Sequence, residues 1–118
     1  MSLSLEVVLA IALGGSAGAL LRFWMTHLGN GRAPWGTLTV NLLGSAALGI
    51  LLNVQGTLPQ WLWIGLAAGV CGALTTFSTC MVEAAEWMRA GLFGRAIAYL
   101  LATFGGGIGL ILLALKMG

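Results

Sequence analysis

Residues Gly69–Glu83 read GVCGALTTFSTCMVE. Four hydroxyl side chains, Thr75, Thr76, Ser78 and Thr79, surround Phe77 there, just after Gly69 and Gly72. The stretch sits inside the third of four apolar runs. Hydrocarbon offers no water, so each polar group in such a run needs a protein partner or a wet cavity. Two readings stay open on the residues alone. The blander one, which composition by itself favours, is a continuous helix whose Ser and Thr hydroxyls bond back to carbonyls four residues earlier. The other is a broken helix, in which Gly72 is permissive and the hydroxyl and β-branched residues after it compete for backbone hydrogen bonds. A broken span is tolerated where protein buries it or a cavity runs beside it. It then offers free carbonyls to a cation and free N–H groups to an anion.

Outward from that stretch, the chain is 59% hydrophobic and only 7% charged over its 118 residues. A soluble domain carries roughly a quarter charged residues, so this chain cannot keep a solvated surface. It reads as an all-helical integral membrane protein of the cell (inner or plasma) membrane. A spanning helix needs about 20 apolar residues. Four such helices, roughly 3–26, 35–52, 61–86 and 96–115, form a single domain over 1–118 and leave no room for a soluble module. Four helices enclose little space, so an oligomer is expected. The net charge of +2 gives no reason to expect nucleic acid. Cys71 and Cys80 stand nine residues apart in one apolar run and read as buried free thiols, not as a disulfide or metal framework. The start, MSLSLEVVLA, has no basic n-region, so the first helix is expected to be retained.

Each span carries small residues at helical spacing: Gly14 and Gly18, Ser45 and Gly49, Gly65 and Gly69, Gly105 and Gly109. Such pairs let helix backbones approach closely. Polar residues repeat at the same spacing. Thr37, Asn41 and Ser45 share one face of the second span, and Tyr99, Thr103 and Gly107 one face of the fourth. Asn41 reads either as a helix–helix hydrogen bond or as a group lining a wet vestibule. Arg22, near the end of the first span, either snorkels to the interface or lies buried against carbonyls or a carboxylate. Glu86 reads as interfacial, while Glu83 lies closer to the hydroxyl cluster and can face a vestibule. The first loop, with Gly29, Asn30, Gly31, Arg32 and Pro34, carries breaker signals. Loops one and three share Arg32, Arg89 and Arg95, against Lys116 on the terminal side. The positive-inside rule puts the loop side in the cytoplasm, but a bias this small permits insertion both ways.

Three segments resemble the Fluc (CrcB) family of fluoride channels, in the family's order and at its length: GGSAGALLRF, GTLTVNLLGS and GALTTFST. The resemblance implies four helices with a break in the third, and an antiparallel, dual-topology dimer whose two pores run along the subunit interface. It implies a structural sodium ion at that interface, held by the backbone carbonyls of Gly72 and Thr75. It places Asn41, Phe77, Ser78, Thr79, Tyr99, Thr103 and Thr37 along a fluoride pathway, with Arg22 and Glu83 at matching positions nearby. Cys80 departs from the family, which often has a second phenylalanine there, and Gly107 replaces a serine, shortening the fourth-helix track. The partner chain is a second copy or a related chain.

The function implied is passive export of fluoride, with no enzyme activity. No GxxxxGK[ST] phosphate loop occurs in the sequence. A small multidrug exporter is the rival of similar size, but it needs a mid-membrane carboxylate in its first helix. The only acid there is Glu6, near the helix start. A non-transporting scaffold would explain the glycines but not the polar tracks.

Overall fold

The computed structural model describes residues 4–27 and 35–117. The breaker-rich first loop, with Arg32 and Pro34, lies outside the described residues. Four apolar helical spans cross the molecule, and no strand occurs among the described residues. The first span is Leu5–His27 and the second Trp35–Asn53. The third, Gln60–Arg89, is interrupted, and the fourth is Phe93–Met117. At 1.5 Å per residue the 23-residue first span is about 35 Å long, enough for the hydrocarbon core. The chain is a multi-pass membrane protein.

The burial pattern is that of a protein dissolved in lipid. Leu13, Leu20, Trp24, Ile50, Leu101 and Ile108 face outward, whereas Thr37, Asn41 and Thr103 are buried. Small residues set the packing. A Cβ on Gly14 would strike the Gly65 carbonyl oxygen, and one on Gly18 the Val70 carbonyl oxygen. The first span therefore lies backbone to backbone on the first half of the third. The second span packs along the end of the fourth, where Gly107 sits against Ser45 and Gly49 against Ile111 and Ala114. The expected Gly105–Gly109 seam does not take part in this packing: among the described residues a Cβ at either would meet nothing within 4 Å. Helical phase explains this, since Gly106 and Gly107 already occupy the face turned to the second span.

Polar side chains tie the spans together at one end. Trp63 Nε1 donates to the Leu51 carbonyl at 2.6 Å, and Asn53 Nδ2 donates to the Ala114 carbonyl. At the other end the third span closes on Gly91, whose φ is +82°. There the Leu92 N–H donates to Trp87 O at 2.8 Å and the Gly91 N–H to Met88 O at 3.0 Å, the paired bonds of a Schellman stop. Two stretches are wound wider than an α-helix: Gly65–Cys71 in the third span and Leu101–Gly105 in the fourth. Both flank the break.

Candidate functional site

The third span breaks after Leu74. Thr75 is extended, with φ −80° and ψ 156°, and regular helix resumes at Ser78–Arg89. The helix is broken, although the back-bonding expected of a continuous helix is present just before the break. Thr75 Oγ1 does bond back to the Cys71 carbonyl, at 3.1 Å, yet the helix ends there instead of continuing. The continuous-helix reading is thus corrected, and so is the part given to Gly72. That glycine is ordinary helix, with φ −64° and ψ −38°, three residues before the break. The break follows from a competing partner, not from glycine's freedom.

That partner is Asn41. Its Oδ1 accepts from the Thr76 N–H at 2.7 Å, and its Nδ2 donates to the Thr76 carbonyl at 3.1 Å. One carboxamide replaces both backbone bonds that Thr76 gives up by leaving the helix. The second Nδ2 hydrogen donates to Thr103 Oγ1 at 3.0 Å, which brings in the fourth span. Asn41 is 8% exposed, and its amide hydrogens are both engaged. On the far side of the break, Thr76 Oγ1 accepts from the Thr79 N–H at 3.3 Å and so caps the second half.

These bonds release two carbonyls. In an unbroken helix the Gly72 oxygen would accept from the Thr76 N–H, and the Thr75 oxygen from the Thr79 N–H. Both donors are diverted, one to Asn41 and one to the Thr76 hydroxyl. Residue 75 or 72 needs no special side chain for this. Among the described residues no group of three or more His, Cys, Asp and Glu is placed to hold a metal ion.

Beside the break lies an open cleft of about 280 Å³. Asn41, Thr75, Thr76, Phe77, Thr103 and Phe104 are among its lining residues, with Gly44 and Ser45 from the second span and Cys71 from the third. None of its lining side chains carries a charge. Gly44 keeps the second span close, since a Cβ there would collide with Thr75 Cγ2. The cleft therefore offers neutral hydroxyl groups and ring edges.

The other expected residues fall elsewhere. Ser78 and Thr79 are exposed on the protomer surface at the start of the second half. Thr37 is buried one turn before Asn41 and does not line the cleft. Tyr99 is buried one turn from Thr103; its hydroxyl donates to Glu83 Oε1 at 2.8 Å, and its ring stands edge-on to Trp87. Glu83 thus turns to the fourth span. Cys80 is fully buried, beside the Tyr99 and Thr103 hydroxyls, and does not line the cleft. Asn41, Thr103, Cys80, Tyr99 and Glu83 form one interior polar line from the break to the carboxylate. Arg22 is half-buried near the end of the first span. Glu6 is exposed in that span's first turn, so the span has no mid-membrane carboxylate.

Sequence reasoning missed Phe104. Its ring lies 5.9 Å from that of Phe77, and it lines the cleft. Simple helical spacing sets it off the Tyr99–Thr103 face, but the wider winding of Leu101–Gly105 turns Thr103 and Phe104 toward the same cleft.

The family model described as CrcB-like protein, Camphor Resistance (CrcB), matches residues 9–115. The chain is 37% identical over 110 residues to the fluoride-specific ion channel FluC of Leptospira interrogans, covering 86% of each chain. It is 41% identical over 111 residues to that of Bordetella parapertussis, covering 90% of this chain and 87% of the relative. To the fluoride-specific ion channel FluC 1 of Carboxydothermus hydrogenoformans it is 40% identical over 105 residues, covering 86% and 84%. A match that runs from the first span through the last, with the broken third span inside it, makes this chain a member of the CrcB family.

Proposed function

We propose that the chain is a fluoride-selective channel that lets cytoplasmic fluoride leave the cell passively. The observation that carries this reading is the Asn41 clamp on Thr76, which holds a spanning helix open beside an uncharged cleft. A fixed cation there would bind a small hard anion too tightly to release it; neutral donors and ring edges let it pass. The curated relatives carry the name of fluoride-specific ion channels. The work is conduction, not catalysis. Fluoride trapped inside after entering as neutral HF would flow out through the cleft down its own gradient.

The working unit in this reading is an antiparallel dimer, of two copies or of this chain with a related one, because one protomer leaves the cleft open on its side. The released Gly72 and Thr75 carbonyls fit a hard cation such as sodium, which carbonyl oxygens suit. Two carbonyls do not complete a shell, so a second chain would bring its own pair. Bound there, with its charge enclosed by carbonyl oxygens of both chains, sodium would be a structural link that joins the two breaks. Thr75 also anchors its side of the break through Cys71.

Liposomes loaded with fluoride and carrying the purified protein test the function. Fluoride is expected to appear outside rapidly at an ion-selective electrode, while chloride stays. Well-folded protein that releases neither would sink the reading. For the cation, long dialysis of the detergent-solubilised protein from sodium into N-methylglucamine is expected to loosen the dimer on size exclusion. Indifference to sodium would remove it from the proposal.

A further inference from the structure

We propose that Phe104, on the fourth span, is an ion-contacting residue that works as a pair with Phe77. The inference rests on the fluoride-conduction reading above. The two rings are 5.9 Å apart with their planes at 47°, neither stacked flat nor perpendicular. Both line the cleft that Asn41, Thr76 and Thr103 line. Neither is filling a core: Phe77 is 66% and Phe104 42% exposed. A phenyl ring is positive at its edge and negative at its face. Two tilted rings at one mouth therefore present edges to an anion without the tight hold of a full charge.

The position of Phe104 is fixed from both sides. Thr103, immediately before it, accepts from Asn41 Nδ2. Gly106, two residues later, sits close to Leu42, and Gly107 against Ser45. Thr103 and Phe104 both belong to the wide turn Leu101–Gly105, which ends just before Gly106. Asn41 thus positions both members of the pair, Phe77 through the Thr76 backbone and Phe104 through Thr103. Cys80 contributes no ring and none of the cleft's lining. The ring pair of this chain is assembled from two different spans.

The test is fluoride efflux from liposomes for wild type, Phe104→Leu, Phe104→Tyr and Phe93→Leu, with pentafluorophenylalanine incorporated at 104 as a further variant. Phe104→Leu is expected to slow fluoride by about tenfold, the scale of one lost ring contact in a barrier. Phe104→Tyr keeps the ring edges and should stay within about threefold of wild type. Pentafluorophenylalanine keeps the shape but reverses the ring's polarity, and should slow flux as much as leucine does. Phe93, exposed and away from the cleft, serves as the control and should tolerate leucine. If wild type conducts and either Phe104→Leu or the fluorinated ring conducts equally well, Phe104 is not a contact and this inference alone falls. If wild type itself carries no fluoride, the channel reading falls with it. Elution volume on size exclusion separates flux loss from misassembly, and the fluorinated ring decides the matter should leucine fail to fold.

Discussion

Two contacts of the third span follow opposite rules. Before the break, residues 60–74 lie on the first span with backbone against backbone, and glycines leave no space for side chains. After Leu74 the backbone is held at a distance by side-chain groups from elsewhere, above all the Asn41 carboxamide. The first contact is decided by shape and tolerates no added atom. The second is decided by donors and acceptors and tolerates a change of shape if the hydrogen bonds survive. A rigid anchor next to a polar clamp lets one span be both a structural post and a wall of the cleft.

The largest expected effect tests the shape rule. Gly18→Leu drives a side chain into the Val70 carbonyl, where neither backbone can yield. Overpacking of a core costs about 1–3 kcal/mol when side chains can shift, and more against fixed backbone. The expected outcome is loss of folded protein on extraction, read as an aggregate peak on size exclusion. A normal peak would mean that the two spans are not held as closely as the structure shows.

Asn41 tests the polar rule. Asn41→Leu keeps volume but strands the Thr76 N–H and carbonyl, at about 1–3 kcal/mol for each buried group left unpaired. A marked fall in thermal stability and loss of fluoride efflux are expected. Asn41→Asp, when protonated, retains an acceptor for the Thr76 N–H and one of the two donors. It should keep the fold while impairing throughput. A fall in thermal stability for the aspartate as large as that for the leucine would show that the one Thr76 bond it retains does not hold the fold; unchanged flux in the aspartate would leave Asn41 a purely structural clamp.

The same division marks what the sequence made legible. Four apolar runs and the Gly14–Gly18 seam were readable because hydropathy and small-residue spacing are local properties of the chain. Asn41 stood out as a polar residue in an apolar span. Its partner did not, because Thr76 is 35 residues away and is engaged through its main chain, which is the same for every residue type. For the same reason the break was assigned to the permissive Gly72 and falls instead at Thr75, where the competing partner reaches. Phe104 escaped because spacing arguments assume 3.6 residues per turn, and the fourth span is wound wider there. Cys80 was matched to a family position for a ring, but its burial beside Tyr99 and Thr103 depends on how helices three and four meet.

A smaller effect is expected along the interior line. Tyr99→Phe keeps the ring against Trp87 and removes the 2.8 Å bond to Glu83 together with the hydroxyl's contact to Cys80. Side-chain hydrogen bonds between spanning helices are worth about 0.6–2 kcal/mol, so a modest drop in thermal stability should follow. A drop as large as that of Asn41→Leu would shift the weight of the polar contact from the break to the Tyr99–Glu83 pair.

The smallest effect separates pattern from contact. Gly105 has the same GxxxG spacing as Gly14 and Gly18, yet a Cβ on it meets nothing within 4 Å among the described residues. Gly105→Ala should therefore be neutral to within about 0.5 kcal/mol, the usual range for substitutions away from packed features. The measurement is thermal stability of the purified protein beside Gly18→Ala, whose Cβ is blocked by the Val70 carbonyl. If the two alanines cost the same, the Gly105 face is occupied in the assembled protein, by something other than the described residues of the protomer. An interface between chains would be one such occupant, and the comparison between shape-held and polar-held contacts would then extend beyond the protomer.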